Sequence, residues 1–443
     1  MTESKAYYDK MTKTPLTRLI VSLGIPTTIS MLVTNIYNMV DTYFVGTLGE
    51  SPQAATGILF TLQAIIQAIA FMLGQGSGTM VSKALADRNE EEATEYVSTG
   101  FFTGVGLGMV LFVFGLLFLA PFMRLLGSTE TILPYAKQYG ICVLISCPIT
   151  VGSFVLNNNL RYEGKAFYAM IGLVTGGITN ILGDYILIRI CSLGVLGAGI
   201  STAVSQFLSF LILVYFFRKM AQSSIRISAV SKKAGVYLTI MRVGFPALIR
   251  QGLSSVSNGL LNNLTRPYGD AAIAAMSVVN RFSAFVMCVG LGIGQGYQPV
   301  ASFNYQAKEI KRVKQGLLVT MGIGLALVAC LALPGVVFAP QIVYLFQEHE
   351  EVIEIGSFAL RCACIGTLFL PLSVPVNMLY QSIRKAALSS LLSLMRSGLM
   401  FIPTLIITTK LWGLTGIQIS QPLADVLTGL VSIPFIIGFL RKE

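Results

Sequence analysis

Long apolar stretches separated by short polar ones run through the whole chain. Twelve apolar segments can be marked, at about 17–44, 54–81, 97–120, 133–156, 167–188, 195–217, 237–264, 271–299, 316–338, 352–378, 387–409 and 413–438. Each reaches the roughly 20 helical residues that cross a hydrocarbon core. None alternates strictly with a period of two, and all are too long for strands. The pattern predicts an all-α integral membrane protein with twelve transmembrane helices.

Composition agrees. Of 443 residues, 54% are hydrophobic and 12% charged, with a mean hydropathy of +0.73. A soluble chain carries about 25% charged residues, so the two or three soluble domains that the length alone would allow are set aside. The first 15 residues are polar, with Tyr7, Tyr8, Asp9 and Lys10, and lack a small-residue cleavage site. The first apolar segment is therefore expected to stay as a transmembrane helix, not to leave as a signal peptide.

The formal charge of +11 would suggest nucleic acid in a soluble protein. Here topology explains it. Lys5, Lys10, Lys13, Arg18, Lys83, Arg88, Arg161, Lys165, Arg218, Lys219, Arg226, Lys232, Lys233, Arg242, Lys308, Lys311, Arg312, Lys314, Arg384, Lys385, Arg441 and Lys442 fall on one side, 22 of 31 basic residues. Five (Arg124, Lys137, Arg189, Arg266 and Lys410) fall on the other. The positive-inside bias places both termini in the cytoplasm and leaves no role for nucleic acid. The seven cysteines, Cys142, Cys147, Cys191, Cys288, Cys330, Cys362 and Cys364, mostly lie in apolar segments and read as small apolar fillers. The sole histidine, His349, sits in an acidic loop, which excludes a histidine metal cluster.

The chain is an internal repeat. Gly24-Ile25-Pro26 recurs as Gly244-Phe245-Pro246, Asn38 as Asn258, and Gly49 as Gly269. Gly74-Gln75-Gly76 recurs as Gly294-Gln295-Gly296, Ser82 as Ser302, Asn157 as Asn377, and Lys165-Ala166 as Lys385-Ala386, all at an offset of 220. Gly194 and Gly197 match Gly413 and Gly416 at 219. Two six-helix bundles follow, 1–220 and 221–443, joined by a basic, serine-containing linker. Six spans are an even number, so the repeats are parallel, related by an axis along the membrane normal. Two such bundles around a central cavity frame alternating access. Gly100, Gly104 and Gly108 have the spacing of close helix packing, and the GQG pairs read as tight helix contacts.

Charges inside spans are few enough to take singly. The acids are Asp41, Asp184 and Asp425; the bases are Arg250, Arg281, Arg361 and Arg396. Asp41 lies eight residues before Gly49, Asp184 five before Arg189, and Thr202 eight after Gly194. At 1.5 Å per residue, all three sit about 8–12 Å below the outer end of their helices. Asn180, one turn from Asp184, shares its face. Asn35, Tyr37, Asn38, Gln63, Gln67 and Gln206 could add a polar lining. Two carboxylates in a low-dielectric pocket do not both ionise cheaply: one takes a proton or a cation sits between them. Their oxygens, with an amide and a hydroxyl, suit a hard cation such as Na⁺, and H⁺ stays equally open. Pairing of either aspartate with an arginine is disfavoured, because no basic residue falls in the interior of a first-half span. In the second half Leu261 stands opposite Asp41 and Thr404 opposite Asp184, so the acidic pocket is not duplicated. Asp425 is expected to pair with one of the four arginines. Pro26 and Pro246 each remove a backbone hydrogen bond and are expected to bend their helices. No phosphate-binding loop, GxSxG or HExxH is present, so neither an enzyme activity nor a cofactor is expected.

The twelve spans, the 220-residue repeat with its Gly-Ile-Pro and Gly-Phe-Pro openings, the stretch NMVDTYFVGTLG and the stretch NILGDYILI resemble the multidrug and toxic compound extrusion (MATE) family over nearly the whole chain. Asp41, Asn180, Asp184 and Thr202 match the polar N-lobe cluster of its DinF-like branch. The resemblance implies a V-shaped pair of six-helix lobes and a cation antiporter that exports drug-like amphiphiles and organic cations in exchange for Na⁺ or H⁺. It places the protein in a prokaryotic plasma (inner) membrane, with small molecules and the bilayer as partners and no obligate protein partner. The chain departs from the NorM-like branch, which relies on second-half acids. Two other readings stay open: a lipid-linked oligosaccharide flippase of the same superfamily, whose headgroup the four arginines could serve, and a membrane enzyme or scaffold.

Overall fold

A computed structural model describes residues 3–346 and 348–441; Lys442, counted above, lies outside them. In chain order the helices of the first half are α1 (Glu3–Lys13), α2 (Leu16–Gly46), α3 (Glu50–Ala86), α4 (Glu90–Leu117), the short α5 (Leu119–Leu125), α6 (Leu133–Tyr162), α7 (Ala166–Asp184) and α8 (Gly194–Met220). A π-helical turn, Tyr185–Ile190, extends α7. The second half has α9 (Ala234–Thr265), α10 (Asp270–Gln306), α11 (Ile310–Val337), the short α12 (Ala339–Tyr344), α13 (Glu350–Thr367), α14 (Leu370–Ser382), α15 (Ala386–Leu394), α16 (Phe401–Trp412) and α17 (Leu414–Arg441). A second π-helical turn, Met395–Met400, joins α15 to α16. No strand occurs among the described residues.

The helices fall on the twelve expected spans. Among the described residues, ten are individually long and apolar enough to cross a bilayer. The tenth segment differs from expectation: it breaks into α13 and α14, bent by 47°. Pro371 explains the break, since it has no N–H to donate to the carbonyl of Thr367, the last residue of α13, and its ring crowds that carbonyl. α9 has the length, 32 residues, but is diluted by Arg242, Arg250, Gln251, Asn258, Asn262 and Asn263; its place in the repeat makes it the twelfth. The repeat also carries the small helices, since α5 and α12 begin 220 residues apart. The turns that open α3 and α10 require the repeated glycines, with φ of 128° at Gly49 and 89° at Gly269. L side chains avoid that region. The GQG pairs are tight contacts: a Cβ on Gly76 would fall 2.1 Å from the Ile240 carbonyl oxygen, and one on Gly296 2.5 Å from Gly24 Cα.

Packing divides the chain into two units. The first holds residues 1–11 and 29–248, the second 12–28 and 249–443. Division by packing is therefore not division at the 220/221 repeat boundary. α2 and α9 run on as helices through Pro26 and Pro246, and unit membership changes two residues after each proline.

Within the first unit, the linker after α8 is tied down. Glu163, the residue that ends α6, is fully buried and accepts from the Gln222 backbone N–H and the Ser223 hydroxyl. Ser224 N–H donates to Thr94 Oγ1 (3.2 Å), Arg226 N–H to Ser98 Oγ (3.1 Å) and Ser231 N–H to Thr99 Oγ1 (2.9 Å). α1 docks beside this turn: the Tyr7 hydroxyl donates to the Tyr162 carbonyl (3.1 Å) and Lys10 Nζ to the Gly164 carbonyl (3.0 Å). Burial pushes the Glu163 carboxyl up to about 7, against the opposing pull of those hydrogen bonds and of the Lys165 charge.

Candidate functional site

Four helices of the first unit build the site. Small residues let them approach. On α7, a Cβ at Gly183 would lie 2.5 Å from Ser201 Oγ of α8, and one at Gly176 would lie 3.0 Å from Ser209 Cβ. On α8, a Cβ at Gly199 would meet Cys142 of α6 at 3.0 Å. This close packing holds Asp41 of α2, Tyr139 of α6, Asn180 and Asp184 of α7, and Thr202 of α8 out of solvent.

The hydrogen bonds form a chain. Tyr139 Oη donates to Asp41 Oδ2 at 2.7 Å and lies 3.1 Å from Thr202 Oγ1. Asn180 Nδ2 donates to Thr202 Oγ1 at 3.2 Å. The Ser201 hydroxyl donates to the Asn180 carbonyl at 2.8 Å. The acceptors are left over: Asp41 Oδ1, Asn180 Oδ1 and both carboxyl oxygens of Asp184 receive no hydrogen bond. Ser201 stands next to Asp184, but its hydroxyl is committed to the Asn180 carbonyl. The two aspartates are close enough to feel each other's charge. A buried carboxylate without a donor is costly. A proton or a hard cation offered to this set relieves that cost at both carboxyl groups.

A small cavity of about 20 Å³ opens beside the cluster. Tyr37, Gln63, Gln67, Thr202 and Gln206 line it, with Phe154 and Val143 as apolar wall. Four of the six residues expected to line a cavity thus meet there. Asn35 and Asn38 do not reach its wall; the Asn35 amide donates back to the Met31 carbonyl at 3.1 Å. Thr202 belongs to both cluster and wall, so the two adjoin.

Tyr139 and Ser201 escaped the sequence reading. Tyr139 lies six residues after Leu133, where α6 begins, so the same depth count applied to the fourth span reaches it. Ser201 adjoins Thr202 and was accessible only through packing.

In the second unit the equivalent space is apolar. At the offset of 220, Asp41, Tyr139, Asn180 and Asp184 become Leu261, Ala359, Met400 and Thr404. Leu261 and Ala359 are buried in one apolar core with Phe401 and Leu405, and Met400 packs against it. Asp425 instead forms an ion pair with Arg396, Nε to Oδ1 2.9 Å, and accepts from Gln421 Nε2 at 3.0 Å. Arg281 and Arg361 are exposed, and Arg361 Nε donates to the Val336 carbonyl at 3.3 Å.

Known proteins of this architecture give the context. The chain is 25% identical over 447 residues to the multidrug export protein MepA of Staphylococcus saprophyticus, covering 100% of this chain and 98% of that protein. It is 25% identical over 445 residues to MepA of Staphylococcus aureus, with 100% and 98% covered. Among solved structures, it superposes with a TM-score of 0.92 on an outward-facing multidrug resistance MATE family transporter of the MOP superfamily, at 24% identity over 100% of both chains. A Vibrio cholerae MATE transporter gives 0.91 at 21% identity, over 97% of this chain and 98% of that one. The MatE family model matches twice, at residues 26–186 and 246–406, once in each repeat. With most of both halves matched and the fold shared end to end, the chain belongs to the MatE family of membrane transporters.

Proposed function

We propose that the protein exports amphipathic, drug-like molecules, organic cations among them, from a prokaryotic cytoplasm by alternating access in exchange for inward H⁺ or Na⁺. Both termini then face the cytoplasm, as the 22-to-5 distribution of basic residues favours. The multidrug export names of the MepA relatives support the substrate class. The observation that carries the coupling is the buried set of Asp41, Asn180, Asp184 and Thr202, with four acceptor oxygens that receive no hydrogen bond.

Asp41 and Asp184 bind the coupling ion together, and Asn180 and Thr202 complete the oxygen set. Tyr139 holds Asp41 and Thr202 in register. Tyr37, Gln63, Gln67 and Gln206 contact the drug in the adjoining cavity, and Thr202 links the two sites. An ion at the carboxylates removes their negative charge and weakens the hold on a cationic drug next to them; ion release restores it. Pro26 and Pro246 supply the bends that let α2 and α9 change course.

The test is efflux of a cationic dye from proteoliposomes under an imposed H⁺ gradient and, separately, an imposed Na⁺ gradient. Wild type should respond to at least one gradient, and Asp41→Asn should lose that response while still reconstituting. Normal transport by Asp41→Asn under both gradients sinks the coupling assignment.

A further inference from the structure

The second unit holds a small, partly open cavity of its own, about 30 Å³, lined by two arginines. Arg250 of α9 and Arg396 of the π-helical turn line it, beside Asn377 and Ser397, with Leu291 and Met378 as apolar wall. Two of the four intramembrane arginines are thus gathered into one space, while Arg281 and Arg361 are exposed.

Both guanidiniums are held by fixed partners. The Asn377 amide donates to the Ser389 carbonyl (2.7 Å) and to Ser393 Oγ (2.8 Å), which turns its oxygen to Arg250 Nη1 at 2.9 Å. That partner is neutral, so it orients the charge without cancelling it. Arg396 gives its Nε to Asp425, a bond that leaves its two Nη groups uncommitted to that carboxylate. Its backbone sits in a π-helical turn, a geometry common at functional sites. The turn is braced from α9, where the Ser257 hydroxyl donates to the Ser397 carbonyl.

The repeat separates scaffold from addition. Asn157, the counterpart of Asn377, makes the same bond across its own unit, to the Ala169 carbonyl at 2.9 Å. The arginines have no such precedent: Ser30 stands opposite Arg250 and Gly176 opposite Arg396. The matching stretch of α7, residues 175–180, is ordinary α-helix. At these matched positions, the arginines and the π-turn occur in this unit alone. Guanidinium groups in a span are expensive and mark ligand pathways. Their planar donors fit carboxylate, sulfate and phosphate oxygens.

We propose that the cavity between Arg250 and Arg396 is an oxyanion subsite, taking the carboxylate, sulfate or phosphate head of an amphipathic molecule whose tail lies along Leu291 and Met378. It deepens the export reading above, which it presupposes for its role in transport: the substrate range extends to anionic and zwitterionic amphiphiles. A membrane lipid phosphate offers the same chemistry as a free amphiphile, so the test separates the two.

The experiment measures equilibrium binding of radiolabelled decyl sulfate, with decyltrimethylammonium as the matched cation, to the full chain in phosphatidylcholine nanodiscs. Decyl sulfate should bind saturably, and Arg250→Gln should weaken it at least tenfold without changing decyltrimethylammonium binding. Asn377, to which Arg250 donates, is neutral, so Arg250→Gln leaves no charge stranded there. For the other side, Arg396→Gln is combined with Asp425→Asn so that the ion pair is removed whole, and a similar loss is expected. Displacement of decyl sulfate by added phosphatidylglycerol identifies a lipid headgroup as the ligand; no displacement identifies a free amphiphile. Absent saturable binding, or binding indifferent to both variants, overturns the proposal. No gradient is applied, so the result is independent of dye efflux by the wild type, which tests the export reading in proteoliposomes made from the same purified protein.

Discussion

Glu163→Gln should abolish a pH dependence of stability that the wild type shows. The wild-type carboxyl is buried where α6 ends, and its pKa moves from an ordinary 4.5 to about 7. Between those values the folded chain holds a proton that the unfolded chain has released. Stability therefore falls as pH rises from 4.5 through 7 and is flat above. Each pKa unit is worth about 1.4 kcal/mol, so the whole loss is on the order of 3 kcal/mol. With about 2.1 cal/mol/K of unfolding entropy per residue, that is roughly 3 °C in melting temperature for a chain of this length. Glutamine keeps one acceptor for the Gln222 N–H and carries no charge at any pH. The variant should match wild type near pH 5 and melt higher at pH 8. Purified protein can be melted with a thiol-reactive fluorophore, since Cys142, Cys147, Cys288 and Cys364 are buried until unfolding. Parallel pH profiles for the two proteins would refute the assignment. So would an unchanged rate of tryptic cleavage at Arg226 in Glu163→Ala, which removes the acceptors that hold the linker.

Gly183→Ala puts a Cβ 2.5 Å from Ser201 Oγ and should cost about 1–3 kcal/mol by overpacking. Gly106→Ala, with nothing within 4 Å, serves as the control in the same melting assay. Tyr139→Phe removes the donor to Asp41 Oδ2 and should lower gradient-driven dye efflux about tenfold, on the scale of a hydrogen bond to a charged group, while leaving reconstitution intact; full activity would remove Tyr139 from the site. Arg396→Ala strands the buried Asp425 carboxylate and should destabilise by about 3–5 kcal/mol. Adding Asp425→Asn should recover most of that loss, and a double-mutant cycle reads the coupling directly.

Much of the architecture was legible because it rests on quantities that add along the chain. Span length and repeat offset are counts, and depth is a count times the helical rise. That is why Asp41, Asp184 and Thr202 could be set at one level before any contact was known. Direction around each helix is not additive; it depends on which neighbour a helix packs against. Tyr37 faces the cavity while Asn35 turns its amide to its own helix, and no count distinguishes them. The same limit hid the partner of Asp425. Four arginines were available by position, and only the packing of α17 against the π-helical turn selects Arg396. The break between α13 and α14 was missed for another reason: hydropathy stays high across it, and Pro371 was the sole local sign. Glu163 was invisible because its burial is created by the linker folding back onto α4 and α6.

The repeat offers a physical criterion for which residues carry chemistry. What recurs in both halves is structural: the positive-φ glycines at 49 and 269, and the asparagines at 157 and 377 that pin one helix to the next. Every aspartate within a span stands opposite a residue that carries no charge. A buried charge costs several kcal/mol unless something compensates it, and a duplicated fold has no need to bear that cost twice. Within the first unit, neither carboxyl oxygen of Asp184 receives a hydrogen bond among the described residues, whereas Asp425 has a guanidinium at 2.9 Å. The two carboxylates are both buried and opposite in electrostatic terms. Asp425 is already compensated and can fix the place of Arg396, while Asp184 is left without a compensating partner in the protein, as the proposed ion coupling requires.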